Sequence, residues 1–117
     1  MITHPKTEEL VESVALWLEQ IRPTLDPRNA FLARVAGNAL ATVRREITEG
    51  PAAEARAVTA MAGVLGREGD YESLNTELCE RIRSGELTVA SPGLLAALRT
   101  MAMDQLALDQ PSYRHEV

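Results

Sequence analysis

Five polar residues lie on or beside surfaces that the sequence otherwise predicts to be apolar helix faces. Projection of the sequence at 100° per residue places Glu46 at the edge of one apolar stripe and Asn75 within a later one. Arginines on the flank of the first stripe can hold a carboxylate or phosphate through paired hydrogen bonds. The sequence therefore predicts a candidate site for an anionic ligand, formed by Arg34, Asn38, Arg45, Glu46 and Asn75.

The same side chains also have a purely structural interpretation. A buried polar group without a partner costs about 1–3 kcal/mol, so most such groups are satisfied within the protein. In this interpretation Asn75 bonds a helix-end carbonyl and Glu46 pairs with an arginine such as Arg83. The arginines are then a solvated flank, favoured near a helix C-terminus without any ligand. The sequence leaves both interpretations open.

Residue sets typical of catalytic or metal centres are missing from the sequence. His4 and His115 lie in opposite tails, which suggests neither a His-activated nucleophile nor a metal site. Cys79 has no neighbouring histidine and lies on the flank of an apolar face, so we expect it to be a small core residue. No glycine-rich phosphate loop is present. We therefore expect no catalytic residues, no metal and no cofactor.

Composition favours helices and excludes several classes of partner. Only four of the 117 residues are Phe, Trp or Tyr, and Leu and Ala supply the apolar bulk. The formal net charge of −5 argues against binding to nucleic acid or to anionic membranes. The lone Cys79 excludes an internal disulfide, and no signal peptide is visible at the N-terminus. We expect a cytoplasmic protein.

The segment around which the rest must be arranged is a helix predicted over residues 27–49. Asp26 is a suitable N-cap, Pro27 suits the first helical position, and Gly50 suits the residue just past the end. One face carries a stripe of larger apolar residues, which we expect to be core. A row of small residues beside it would admit a second helix at close range. The stripe consists of Leu32, Val35, Ala36, Ala39, Leu40, Val43 and Ile47, and the small row of Ala33, Gly37 and Ala41.

The same capping and periodicity signals predict four further helices. They are expected over residues 7–21, 51–65, 71–84 and 92–110, with a tail at 112–117. Gly50-Pro51 separates the second from the third, and a short extended connection at 86–90 precedes the last. The sequence thus predicts an all-α protein, a compact bundle of about five helices forming a single domain over residues 1–117.

Three segments of the chain resemble a bacterial family of small domains of unknown function. They cover residues 34–53, 74–87 and 94–113, and the resemblance extends from about Leu10 to Tyr113. Members of that family are often encoded beside aminoglycoside-phosphotransferase-like kinases and acyl-CoA dehydrogenases. The positions that match the family pattern are Arg34, Asn38, Arg45, Glu46, Leu74, Asn75, Cys79, Arg83, Asp109, Gln110, Pro111 and Tyr113.

The resemblance implies a non-catalytic accessory or protein-interaction domain linked to acyl-CoA metabolism, with a kinase-like protein or a second copy of the chain as partner. Leu16 and Met103 lie outside the apolar faces of their helices and are candidates for the interaction surface. The alternative is a helical bundle, or a minor enzyme, that binds a small anionic molecule through the five polar residues. Neither hypothesis involves nucleic acid or a membrane.

Overall fold

In a computed structural model of the chain, which describes residues 5–113, four α-helices account for most of the structure. They are α1 (Thr7–Ile21), α2 (Pro27–Leu65), α3 (Tyr71–Ser84) and α4 (Leu94–Asp109). A single turn of 3-10 helix, Arg22–Thr24, follows α1. No strand occurs within residues 5–113. The all-α prediction is confirmed, but the predicted five helices are four.

The missing boundary is Gly50-Pro51, through which α2 continues without a break. Proline usually ends a helix because it lacks an N–H, and because its ring crowds the carbonyl four residues back and the Cβ of the residue before it. Gly50 has no Cβ, so the second of these clashes is absent. Gly50 also does not adopt the left-handed conformation expected of a helix-ending glycine. The predicted break was wrong because Gly50 relieves part of the strain at Pro51.

The chain divides between Gly50 and Pro51 into two compact units, Met1–Gly50 and Pro51–Val117. The boundary lies inside α2, so each unit contains part of that helix. The organisation as one domain stays a prediction.

The first unit contains α1 and the beginning of α2. A connection of a few residues makes consecutive helices antiparallel neighbours, and Glu12 of α1 pairs with Arg44 of α2 at 3.3 Å between Oε2 and Nη2. The predicted cap of α2 is confirmed, since Asp26 Oδ2 accepts the backbone N–H of Asn29 at 3.3 Å. Within residues 5–50 only Ala33 is buried. This unit therefore has almost no core of its own.

The second unit, by contrast, encloses a hydrophobic core to which the rest of α2, α3 and α4 all contribute. The predicted start of α3 is confirmed, because Asp70 Oδ1 accepts the backbone N–H of Ser73 at 2.8 Å. Its predicted end is confirmed by Gly85, which adopts a left-handed conformation with φ of 83°. The core consists of Ala57, Met61, Leu65, Leu74, Leu78 and Leu94.

The connection from α3 to α4 differs from the sequence prediction. Residues 86–90 form bends and turns rather than an extended segment, and only Leu87 packs against the core. Val89, two residues further along the same connection, is 78% exposed. The last helix begins two residues later than predicted because Gly93 takes a left-handed conformation with φ of 80°. Residues 114–117 of the predicted tail lie outside the described residues.

Candidate functional site

On the first part of α2, the small row packs toward α1 and much of the larger apolar stripe does not. Ala33 is buried, and Gly37 and Ala41 are half-buried. Rows of Ala and Gly let two helices approach closely, because little side-chain volume separates their backbones. The prediction that the whole stripe forms core was wrong. Its exposed members are Leu32, Val35, Ala39 and Val43.

A matching apolar stripe is exposed on α1. Leu10, Val14 and Trp17 recur at spacings of four and three residues, which places them on one helix face. Their exposed fractions are 42%, 50% and 56%. The 3.6-residue spacing predicts a wider apolar face on α1, of which these three members are exposed and the others half-buried: Leu10, Val11, Val14, Trp17, Leu18 and Ile21. The α1 residues turned toward α2 are half-buried; they include Val11, Ala15 and Leu18.

The two exposed stripes lie on the same side of the helix pair. On each helix the exposed stripe precedes, in the direction in which the helix turns, the row that packs toward the other helix. The angle between stripe and row is about 100° on α1 and about 155° on α2. Antiparallel helices turn in opposite senses when viewed from one end, so these rotations point both stripes to one side. We call this surface the apolar face; it consists of Leu10, Val14, Trp17, Leu32, Val35, Ala39 and Val43.

The opposite side of the helix pair carries two of the five predicted site residues. Arg34 and Asn38 are exposed and border a cleft of about 280 Å³, whose α1 side includes Glu19 and Arg22. Glu19 engages Arg22 through two hydrogen bonds, from Nε at 3.0 Å and from Nη2 at 2.8 Å. Arg34 and Asn38 remain as donors that an anion entering this cleft would meet.

Arg45 and Glu46 have different surroundings from that cleft. Arg45 is half-buried, and its Nη2 donates to Thr42 Oγ1 at 3.1 Å. Glu46 is exposed at the edge of the apolar face, as predicted from the helix projection. Its carboxylate extends along α2, so that a Cβ at Gly50 would lie 3.2 Å from Oε1. The Glu46 carboxylate forms no ion pair or hydrogen bond with another residue in 5–113.

Asn75, the fifth predicted residue, belongs to the second unit. It is half-buried on α3 and borders an open depression lined in part by Glu54, Asp70 and Glu72. Three carboxylates so placed repel an anion rather than attract one. The surroundings of Asn75 thus disfavour the anionic ligand that the sequence suggested. The convergence of all five residues on one site stays a prediction.

An ion-pair network at the turn between α2 and α3 was not predicted from the sequence. Arg67 Nε donates to Glu77 Oε1 at 2.9 Å, and Nη2 donates to Ser73 Oγ at 2.9 Å. Glu77 Oε2 lies 2.8 Å from Arg81 Nη2, an ion pair that lacks the alignment of a hydrogen bond. The i,i+4 spacing of Glu77 and Arg81 was a readable signal for one of these contacts. Because these charges pair with one another, the network acts to fix the turn.

Other features that the sequence analysis raised can be placed on the described residues. Cys79 is half-buried on α3 and makes no disulfide. Residues 5–113 contain no cluster of three or more His, Cys, Asp or Glu side chains that could hold a metal ion. No helix in this range combines the length and the hydropathy needed to cross a membrane. His4 and His115 lie outside the described residues.

Comparison with known proteins gives one match. Neither the curated proteins nor the solved structures yield any protein similar to this chain. The family described as "Domain of unknown function (DUF6285)" matches residues 23–113. The matched range begins in the turn before α2 and includes α2, α3 and α4, and with them the α2 half of the apolar face. The chain therefore belongs to the DUF6285 family.

Proposed function

We propose that this protein is a non-catalytic accessory or protein-interaction domain, and that the apolar face binds a protein. The observation that carries the proposal is the shared exposure of six large apolar side chains on one side of two adjacent helices. Contiguous apolar patches beyond a few hundred Å² are rare on monomeric proteins and mark interaction sites. A protein covering this face would remove that surface from water.

The small number of buried residues in the first unit supports this proposal. Two helices can bury only the strip where they touch, whereas stable helical folds bury a broad stripe of each helix against further elements. The first unit buries a single residue within 5–50 and leaves its broadest apolar surface uncovered. A further pair of helices on the apolar face would complete a bundle.

The two residues that the sequence analysis proposed for an interaction surface lie elsewhere. Leu16 is exposed, as expected, but on the far side of α1 from the apolar face. Met103 is half-buried on α4. Phe31 on α2 is 64% exposed and lies about one helical turn before Val35, beside the apolar face. Single exposed apolar residues are ordinary, so Leu16 serves as the matched control.

The family resemblance suggests a phosphotransferase-like kinase as the partner, acting in the cytoplasm in acyl-CoA-related metabolism. The test is co-expression with the proteins encoded beside this one, a kinase-like protein among the expected candidates, followed by affinity capture and mass determination. We expect the wild type and Leu16→Ser to form a stoichiometric complex or to self-associate, and Val35→Glu to do neither. Wild-type protein that binds neither the kinase-like protein nor itself would overturn the proposal.

A second candidate function is binding of a small anion, because the cleft at Arg34 and Asn38 presents two donors to solvent. Arginine and amide side chains together suit a carboxylate or phosphate. Inorganic phosphate and short-chain carboxylates should then raise the melting temperature of the wild type but not of Arg34→Ala. If Asn38→Ala and Arg34→Ala leave every such shift unchanged, this cleft has no role in binding.

A further inference from the structure

We infer that the occupant of the apolar face is a second copy of this chain, packed in the antiparallel direction so that two helix pairs form a four-helix bundle. This inference rests on the proposed function and names its partner. In such a dimer, α2 of one copy lies across α2 of the other around a two-fold axis near Gly37. Arg28 of each copy then faces Glu46 of the other.

The arrangement of residues along α2 is self-complementary about that point. A two-fold interface requires that if one residue contacts a second, the second contacts the first in return. Positions at nearly equal distances on either side of Gly37 match in this way. Val35 pairs with the smaller Ala39, each two residues from Gly37, and Leu32 pairs with Val43, five and six residues from it. Near the two-fold axis a larger side chain thus meets a smaller one, and further from it two large apolar side chains meet.

The charges at the edge of the face follow the same symmetry. Arg28 and Glu46 are separated by about five turns of helix, so they lie on one edge of the apolar face, near its two ends. Both are exposed, and within residues 5–113 neither side chain forms an ion pair or hydrogen bond. An antiparallel second copy brings opposite charges together at both ends. A parallel copy in register would instead place like charges together, which disfavours it.

The α1 half of the face is consistent with the same axis. Leu18 of α1 and Gly37 of α2 line the same cleft, so the residues around Leu18 are level with the proposed axis. Trp17, its neighbour in sequence, is 56% exposed on the apolar face. The two copies of Trp17 would therefore meet near the two-fold axis. This is the only tryptophan in the sequence, so its fluorescence reports on this surface alone.

The apolar face supplies more than half of the area that a stable dimer buries on each partner. Six large side chains that are about half exposed present on the order of 500 Å² of apolar surface per copy, before the polar rim is added. Stable specific interfaces bury about 800 Å² per partner. A second helix pair with the same flat face can cover this surface fully, since both surfaces have the same length and width.

The first experiment measures the mass of the full chain by sedimentation and its tryptophan emission, over concentrations of about 1 to 100 µM. We expect a concentration-dependent dimer whose formation shifts the Trp17 emission to shorter wavelength. Val35→Glu should raise the dissociation constant by about a hundredfold, because it buries two unpaired charges near the centre. Leu16→Ser, on the far side of α1, should leave the constant unchanged.

The second experiment tests the antiparallel arrangement by exchanging charges. Arg28→Glu and Glu46→Arg should each weaken the homodimer by about tenfold, because each places like charges together at both ends. A mixture of the two variants should restore dimers, since one copy then carries only acidic residues at these positions and the other only basic ones. The double variant should dimerise as the wild type does. Circular dichroism of each variant confirms that its helices are intact.

The outcomes separate this inference from the proposed function. A wild type that stays monomeric throughout, or a dimer indifferent to Val35→Glu, overturns the inference. Charge variants that fail to recover on mixing overturn the antiparallel arrangement. If the monomer binds the kinase-like protein and Val35→Glu abolishes that complex, the proposed function stands. The apolar face then binds the kinase-like protein and not a second copy of the chain.

Discussion

The substitution Pro51→Ala should stabilise this protein, because α2 passes through that residue. Proline in a helix interior is about 3 kcal/mol less favourable than alanine. Proline also restricts the unfolded chain, and its loss gives back up to about 1 kcal/mol. The net expectation is a gain of about 2 kcal/mol. With an unfolding entropy of about 2.1 cal/mol/K per residue over 117 residues, this corresponds to about 8 °C.

The assay is thermal unfolding followed by circular dichroism, at one fixed protein concentration because association raises the apparent melting temperature. Gly50→Ala supplies the informative control. Alone, it places a Cβ next to the Pro51 ring and 3.2 Å from Glu46 Oε1, so it should be neutral or destabilising. Combined with Pro51→Ala, the same change should stabilise by about 1 kcal/mol, the difference in helix propensity.

The result that would refute this reasoning is a melting temperature that falls or stays unchanged in Pro51→Ala. Two separate helices meeting at Gly50-Pro51 would give that result, because proline is favourable at the first position of a helix. Equal effects of Gly50→Ala in both backgrounds would also count against continuity. The pair of substitutions therefore distinguishes the structure from the simplest interpretation of the sequence.

Leu78→Ala should lower the free energy of unfolding, measured by chemical denaturation, by about 2–5 kcal/mol, because Leu78 is 2% exposed in the core of the second unit. Val89→Ala, at a residue that is 78% exposed, should have little effect. Arg67→Ala should lower the free energy of unfolding by about 1–2 kcal/mol in the same assay, since it removes the charged donor that joins the turn to α3. An unchanged free energy of unfolding would show that the network is dispensable for stability. Asp26→Ala should destabilise the protein at neutral pH, and the difference from wild type should shrink as pH falls below 3.8. The reason is that hydrogen bonds from the side chain and backbone of Asn29 lower the pKa of Asp26, so its contribution is complete above 3.8 and is lost as pH falls through the lowered value.

Local signals predicted helix ends well wherever a single residue controls the end. Asp26 and Asp70 cap their helices as expected, and Gly85 ends α3. At Gly50-Pro51 two such signals stand together, and their combination reverses the expected result. Each alone marks a helix boundary, but glycine removes one of the contacts through which proline breaks a helix. Rules that score residues one at a time do not detect such an effect of one residue on its neighbour.

The candidate site was harder to predict, because projection on a wheel orders residues around one helix but assigns no neighbours. Two arginines of α2 illustrate this. Arg34 borders a cleft with α1, whereas Arg45 contacts Thr42 of its own helix. Asn75, grouped with them by polarity, borders carboxylates instead. The sequence groups these three side chains by their polarity, whereas in the structure each has different surroundings.

Periodicity states which residues favour burial but not which surface will cover them. In the second unit, Leu74 and Leu78 meet the expectation within the chain, because α2 and α4 supply the covering surface. In the first unit, Val14 and Val35 follow the same rule of spacing and remain about half exposed. A natural sequence seldom maintains such a pattern across two helices for a surface that stays in water. Within the first unit, the disagreement between predicted and observed burial falls on one face, and that is the reason to seek a partner there.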